Sequence, residues 1–229
     1  QFAQAMSGLP FSFTAHAKDI YTQRPEALRA KLEAADLVVT CTGYNQAHLR
    51  KLADVPVHHV YHGIDIGLFA YAGVSHPSPD GAVVLCVSDF VEKKGIDTVL
   101  SALAVLRQQG LAVTLHHVGM GPLKGRMHEL AHELGLDDAV RWLGPLTHDR
   151  LVEEYVRADA LVMGCRMARS GDRDGIPNVI MEAMAVGTPV VATDFSAIPE
   201  LVEHERTGLL SAPGDPADLA EALKRILTD

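Results

Sequence analysis

Two carboxylates, Asp174 and Glu182, stand with seven residues between them in the stretch 170–210, SGDRDGIPNVIMEAMAVGTPVVATDFSAIPELVEHERTGLL. A carboxylate accepts hydrogen bonds from a pair of vicinal hydroxyls, so this arrangement suits a sugar or a ribose. Gly175, Ile176, Pro177 and Asn178 lead from Asp174 into an apolar helical run over 178–186, which Gly187 stops. Pro177 suits the first helical position, where no amide partner is lost. A helix N-terminus offers free amides and a positive dipole end to an anion or to hydroxyls, and Gly175 lets a ligand approach the backbone. For the bare spacing, a capping Asp174 and a solvated Glu182 are the better account. The ordered company of GIPN, EAMA, GTPVVAT, IPELV and TGLL favours a site.

Other residues could do chemistry. Lys94 sits in the turn Val87-Ser88-Asp89-Phe90-Val91-Glu92-Lys93-Lys94-Gly95, which follows a strand, and a lysine there can neutralise leaving-group charge as a bond breaks. Solvated helix-start charges at Lys93 and Lys94 are the bland alternative. Asp89 in the same turn would repel a phosphate; either Arg166, Arg169 or Arg173 supplies a second cation or the phosphate is held weakly. His16 closes the strand FSFT, where an ordinary strand-end histidine and a functional one read alike. His128-Glu129-Leu130-Ala131-His132 matches the zinc-protease pattern HExxH. Leu123, Met127, Leu130, Ala131 and Leu134 form the apolar stripe of that helix, which places His128 and His132 on its flank and solvent side. A catalytic zinc needs both histidines facing a cleft with a third ligand. In a chain with 12 His, chance accounts for the match. Gly119, Gly121 and Gly125 nearly match a dinucleotide loop, but the third glycine is one position late and no ribose-binding acid ends the next strand. Pro122 as a helix starter accounts for it.

The elements that must position these residues alternate along the chain. Strand, helix, strand, helix, strand are expected over 10–16, 25–35, 36–41, 43–52 and 57–61, a βαβαβ pattern that implies a parallel sheet. The stretch 71–81, YAGVSHPSPDG, is rich in Pro, Gly and Ser, and the domain boundary is placed there. The pattern then restarts. Strands are expected over 82–87, 112–118, 140–143, 160–163, 188–193 and 208–210, with helices over 96–109, 122–134, 147–157, 178–186 and 216–227. The expected organisation is a partial first domain over 1–72, a linker over 73–81 and a complete doubly wound domain over 82–229, whose ligands bind beyond the carboxyl ends of the strands.

Composition bounds the function. With 229 residues and 48% hydrophobic content the chain can bury a large core. A net charge of −9 argues against general nucleic-acid binding. Neither a membrane-spanning run nor a secretory leader is predicted. Gln1 opens the chain without an initiator Met, so a piece of a longer protein is expected. Cys41, Cys86 and Cys165 lie in or beside apolar runs and read as buried thiols of a reducing cytoplasm, with no function assigned.

The residues from Asp174 to Leu210 resemble the retaining glycosyltransferases of family 4, which have the two-domain GT-B fold, and within that family the bacterial exopolysaccharide, colanic-acid-type members. The family signature is an acidic residue, seven intervening residues and a Glu around a Gly-Phe/Ile-Pro-Asn core; Asp174 stands where the family more often has Glu. Residues from Gly81 onward resemble the nucleotide-sugar donor domain. SFTAHAKDIY, ADLVVTCTGYNQAHLRKL and HGIDIGLF resemble only the last part of the acceptor-side domain.

The resemblance implies a sugar transfer with retention from a nucleotide-diphosphate-sugar to a saccharide or lipid-linked saccharide, in bacterial polysaccharide biosynthesis. It implies Lys94 on the donor diphosphate and Asp174 with the backbone of Gly175, Ile176, Pro177 and Asn178 on the sugar hydroxyls. It places Glu182 on the ribose and His16 beside the anomeric centre. Where the family has Arg, this chain has Asp89. No cofactor and no metal is implied, and the expected place is cytoplasmic, with peripheral association at the inner face of the membrane. A catalytically incomplete nucleotide-sugar-binding fragment is the rival reading. An NAD-dependent Rossmann enzyme is a third.

Overall fold

The computed structural model describes residues 6, 8–69 and 81–228. The expected linker falls outside these residues except for Gly81. Two parallel sheets organise the rest. The first has three strands in the order β1 (Ser12–Ala15), β2 (Leu37–Thr40) and β3 (Val57–His59). Helices α1 (Ala17–Tyr21), α2 (Pro25–Ala34) and α3 (Gly43–Leu52) follow the first two strands, and Leu28, Leu32 and Leu49 pack with Val38 and Val57 into one core. Helix α1 was not expected; five residues are too few to carry a helical period.

The second sheet holds β4 (Ala82–Val87), β5 (Val113–Val118), β6 (Val140–Gly144), β7 (Ala160–Met163), β8 (Val190–Thr193) and β9 (Leu209–Ser211). Its spatial order is β6-β5-β4-β7-β8-β9, and every pairing is parallel. That is the doubly wound order, in which the chain runs outward from β4 to one edge and then returns to β4's other side to run outward again. The inner strands read AVVLCV, ALVM and VVAT because helices cover both faces. On one face α4 (Ile96–Gln108), α5 (Lys124–Glu133) and α8 (Pro216–Thr228) bury Leu100, Leu103, Met127 and Leu223. On the other, α6 (His148–Arg157) and α7 (Asn178–Val186) bury Tyr155, Ile180 and Ala183.

The order leaves a crevice between the carboxyl ends of β4 and β7, where the two outward paths diverge. The turn carrying Lys93 and Lys94 follows β4, and the loop carrying Asp174 follows β7. A pair of glycines fixes how closely they approach. Gly95 has φ of 60°, and a Cβ there would lie 1.9 Å from the carbonyl oxygen of Gly164. No other residue type permits that contact without moving the backbone.

Differences from expectation are local. Helix α5 begins at Lys124 rather than Pro122, because the Leu123 N–H donates to the Phe90 carbonyl and holds the turn against the β4 loop. Pro177 is the N-cap of α7, extended at ψ of 126°, and Asn178 is the first helical residue. His128 does not lie on the solvent side of α5: it stacks on Trp142 with ring centroids 4.4 Å apart, beside Phe90 and His117. His132 is exposed and meets Asp137 instead, so the two histidines of HExxH do not converge.

Candidate functional site

The Lys93–Lys94 turn is a single 3-10 turn, Glu92–Lys94, closed by left-handed Gly95. It therefore sends two consecutive lysines toward the β7 loop. Lys94 Nζ lies 2.8 Å from Asp174 Oδ2, while Lys93 Nζ lies 3.2 Å from both Asp174 Oδ1 and Asp172 Oδ2. All four side chains are largely buried, and the loop backbone is tied on as well, since the Arg166 N–H donates to the Lys93 carbonyl at 2.9 Å. Burial, the largest single influence, works to depress the Lys94 ammonium, but the Asp174 carboxylate and the Cys165 and Cys86 sulfurs together hold the group above its ordinary value. Cys165, fully buried beneath Asp174, has its thiol pushed up to about 12 by burial and by that carboxylate.

The structure brings Lys94 and Asp174 together but leaves Asp174 no free oxygen: both are committed to lysine ammonium groups. The expected arginine cation is not in this cluster. Arg166 is held by Asp97 at 2.7 Å, Arg169 is exposed beside Glu92, and Arg173 lies 4.0 Å over the Tyr21 ring. Lys93 is the second cation of the cluster, and its adjacency to Lys94 was the available signal for it in the sequence. Asp89 is exposed. Glu182 accepts a 2.8 Å hydrogen bond from the Tyr155 hydroxyl, whose proton burial and the Glu182 charge both retain. Among the described residues no hydrogen bond or ion pair joins His16 or Glu182 to Lys94 or Asp174.

His16 lies one residue beyond β1, and its ring centroid is 5.2 Å from that of His62, which lines a cleft between the two sheets' units. A cavity of about 230 Å³ in that cleft is lined by Cys41, Tyr61 and His62 from one side and Ile176, Met181 and Glu200 from the other. Gly175 comes close to Thr42 across it. Glu200 joins the two units: its carboxylate accepts from Gly43 N at 2.8 Å, Tyr44 N at 2.7 Å and the Tyr61 hydroxyl at 2.9 Å. Thr42 Oγ1 takes the next amide, Asn45 N, so the open N-terminus of α3 is satisfied largely from the other domain. Nothing in IPELV announces this partner, which is 157 residues away in sequence. Cys41 departs from the expectation of a buried thiol: it is half-exposed on the cleft wall, whereas Cys86 and Cys165 are buried.

Residues 81–229 match the family model described as glycosyl transferases group 1. The chain belongs to that family. Its match to the amylovoran biosynthesis glycosyltransferase AmsK of Erwinia amylovora is 36% identical over 143 residues, covering 62% of this chain and 35% of that protein. The colanic acid biosynthesis glycosyltransferase WcaL of Escherichia coli is 34% identical over 161 residues, 70% of this chain and 39% of the relative. Matched segments of this group 1 chain thus span little more than a third of those relatives. The crystal structure of Anabaena HepE in complex with UDP and glucose superimposes on 99% of this chain and 64% of that one, with a TM-score of 0.81 and 24% identity. That likeness gives the fold, which is GT-B.

Proposed function

We propose that this chain supplies the donor-binding half, and the closing part of the acceptor-side half, of a retaining family 4 glycosyltransferase of bacterial polysaccharide biosynthesis. The donor is a nucleotide-diphosphate-sugar and the acceptor a saccharide or lipid-linked saccharide. The observation that carries this reading is the Lys94–Asp174 pair in the crevice between β4 and β7. It offers a cation for a diphosphate and a carboxylate for hydroxyls within one ligand's reach. In this reading the diphosphate takes Lys94, and Lys93 keeps Asp174 in place as that carboxylate turns to the sugar. The amide end of α7, from Gly175 to Asn178, meets the sugar, and Glu182 exchanges the Tyr155 hydroxyl for those of the ribose.

Transfer breaks the bond between the anomeric carbon and the phosphate oxygen while the acceptor oxygen bonds the same face. The leaving phosphate takes the acceptor proton. Lys94 stabilises the charge that develops on the diphosphate, and His16 sits against the sugar when the cleft closes. The reading calls for no metal. Among the described residues no helix is long and apolar enough to cross a membrane, and we place the reaction at the cytoplasmic face with the protein peripheral to it.

Calorimetric titration of this chain with UDP, GDP, their sugar conjugates and NADH tests the proposal, with product assayed in the same samples. Selective nucleotide-sugar binding that falls at least about tenfold in Glu182→Ala is the expected result. Wild-type affinity in Glu182→Ala would remove Glu182 from the site, and selective NADH binding would overturn the proposal.

A further inference from the structure

His16, Cys41 and His62 were assigned separately, or not at all, on sequence grounds, yet the fold gathers them. His16 follows the last residue of β1, Cys41 follows the last residue of β2, and His62 lies just past the end of β3. The parallel register pairs Ala15 with Thr40 and Thr40 with His59, so the three chain segments leave the sheet side by side. Adjacent strands are about 4.8 Å apart, and residues leaving neighbouring ends together share one small volume. One imidazole nitrogen from each histidine and the thiol sulfur lie within 4.8 Å of one another.

We propose that His16, Cys41 and His62 form a zinc-binding site on the acceptor-side wall of the cleft. Two imidazoles and a thiolate are the donor set that zinc accepts in tetrahedral geometry. Bond lengths of about 2.0–2.3 Å place ligand atoms of such a site roughly 3.3–3.6 Å apart. Closing the present triangle by about 1 Å needs only side-chain rotation, because His16 and His62 are exposed and their rings already sit 5.2 Å apart at a tilt. Asp19 stands beside His16: its Oδ2 accepts from the His16 backbone N–H at 3.1 Å and lies 3.5 Å from Nδ1. Cys86 and Cys165 are buried away from solvent, so Cys41 is the thiol that a solution metal meets on this wall.

Three protein ligands leave a fourth position open toward the cleft, for water or a phosphate oxygen. Glu200 is not that ligand, since its carboxylate already accepts three hydrogen bonds. A zinc ion bound here holds His16 away from the donor sugar. Zinc is therefore an inhibitor of the transfer, a consequence that rests on the catalytic reading of His16 given above.

The test is titration of the tag-free chain with Co²⁺, read by the cobalt–thiolate charge-transfer band, and with Zn²⁺ against a chromogenic chelator. One equivalent is expected to bind with a thiolate band. Cys41→Ser is expected to lose the band, and both Cys41→Ser and His62→Ala to lose at least about tenfold in zinc affinity. Nucleotide diphosphate titrated without metal is expected to bind Cys41→Ser as it binds wild type, which shows that the variant is folded. Zinc binding at wild-type affinity in Cys41→Ser, or no thiolate band in wild type, would overturn the site. A chain that binds zinc through Cys41 but no nucleotide would leave the metal site standing and refute the donor-site reading. The converse result would do the opposite. Where donor hydrolysis is measurable, saturating zinc is expected to suppress it about tenfold or more in wild type and not in Cys41→Ser.

Discussion

Replacing Asp174 by Asn separates the two demands made on this residue. In the proposed reading a diphosphate arriving at Lys94 must draw the ammonium from a carboxylate 2.8 Å away, in a cluster whose side chains are only 15–20% exposed. A hydrogen bond to a charged group is worth about 1.5–3 kcal/mol, and Asp174 makes one to Lys94 and one to Lys93. Asparagine keeps the shape and one acceptor oxygen but removes the charge. The diphosphate then no longer competes for Lys94, and UDP or GDP alone is expected to bind more tightly by about 1.5 kcal/mol, roughly tenfold. The sugar loses its charged acceptor in the same variant, so the preference for nucleotide-sugar over bare nucleotide falls by a similar factor. Calorimetry with diphosphate and sugar conjugate side by side reads both quantities, and circular dichroism checks the fold. A folded Asp174→Asn protein that binds the diphosphate no better than wild type would refute the competition, and with it the assignment of Lys94 to the phosphate.

Three further outcomes follow from the same structure. Tyr155→Phe frees the Glu182 carboxylate of its internal donor, so nucleotide binding is expected to hold or improve while Glu182→Ala loses it; a Tyr155→Phe loss equal to that of Glu182→Ala would contradict the exchange of hydroxyls. His117 is fully buried, and burial, with His128 beside it, lowers its imidazole to about 4. The folded state thus keeps His117 neutral where the unfolded chain protonates near 6.5, so this stability is complete above about pH 6.5 and is lost as pH falls toward 4, by about 3 kcal/mol. Urea midpoints of wild type and His117→Phe at about pH 7.5 and pH 5 check it, with the substitution expected to flatten the slope. Glu200→Ala is expected to raise amide exchange at Gly43 and Tyr44, at a cost near the low end of a lost helix cap, about 0.5–1 kcal/mol for this exposed carboxylate. Unchanged protection at those amides would show that Glu200 does not hold the domains in solution.

Legibility in the sequence followed the range of the interaction. Helix α7 and strand β7 fall on the residues expected, because Gly187, at φ of 92°, stops one and Gly164 follows the other. Apolar runs flanked by such punctuation are local signals. The doubly wound order then locates Lys94 and Asp174 at one crevice by topology. Side-chain pairing was not legible. Lys93 carried no role beyond the bland alternative of a solvated charge, because a 3-10 turn and a first helical turn look alike in sequence, yet they aim consecutive residues differently. Glu200, Cys41 and His62 lie in segments quoted for the resemblance, IPELV, ADLVVTCTGYNQAHLRKL and HGIDIGLF, but nothing in those segments gave them a role. Their relation depends on how two domains face each other and on the register of β1, β2 and β3, which hydrophobic period does not encode.

The two halves of the site are held by unlike forces, which bears on what donor binding and transfer require. The Lys93–Lys94 turn and the Asp174 loop are locked by backbone packing: Gly95 and Gly164 fit only without side chains, and the Arg166 amide is bonded to the Lys93 carbonyl. Charge placement on the donor side is therefore preorganised before any ligand arrives, which is what electrostatic stabilisation of a leaving group needs. His16 has no such link to that cluster. The first sheet's unit meets the second through the exposed contacts of Glu200 with α3, the half-buried Arg173 over Tyr21, and the packing of Phe69 and Ile64 against the second core. The exposed polar contacts among these are worth little individually, whereas the crevice between β4 and β7 is held by close backbone packing. In the proposed reading nucleotide affinity belongs to the rigid half. On the same reading the chemistry proposed for His16 depends on how the first sheet is placed, which the rigid half does not set.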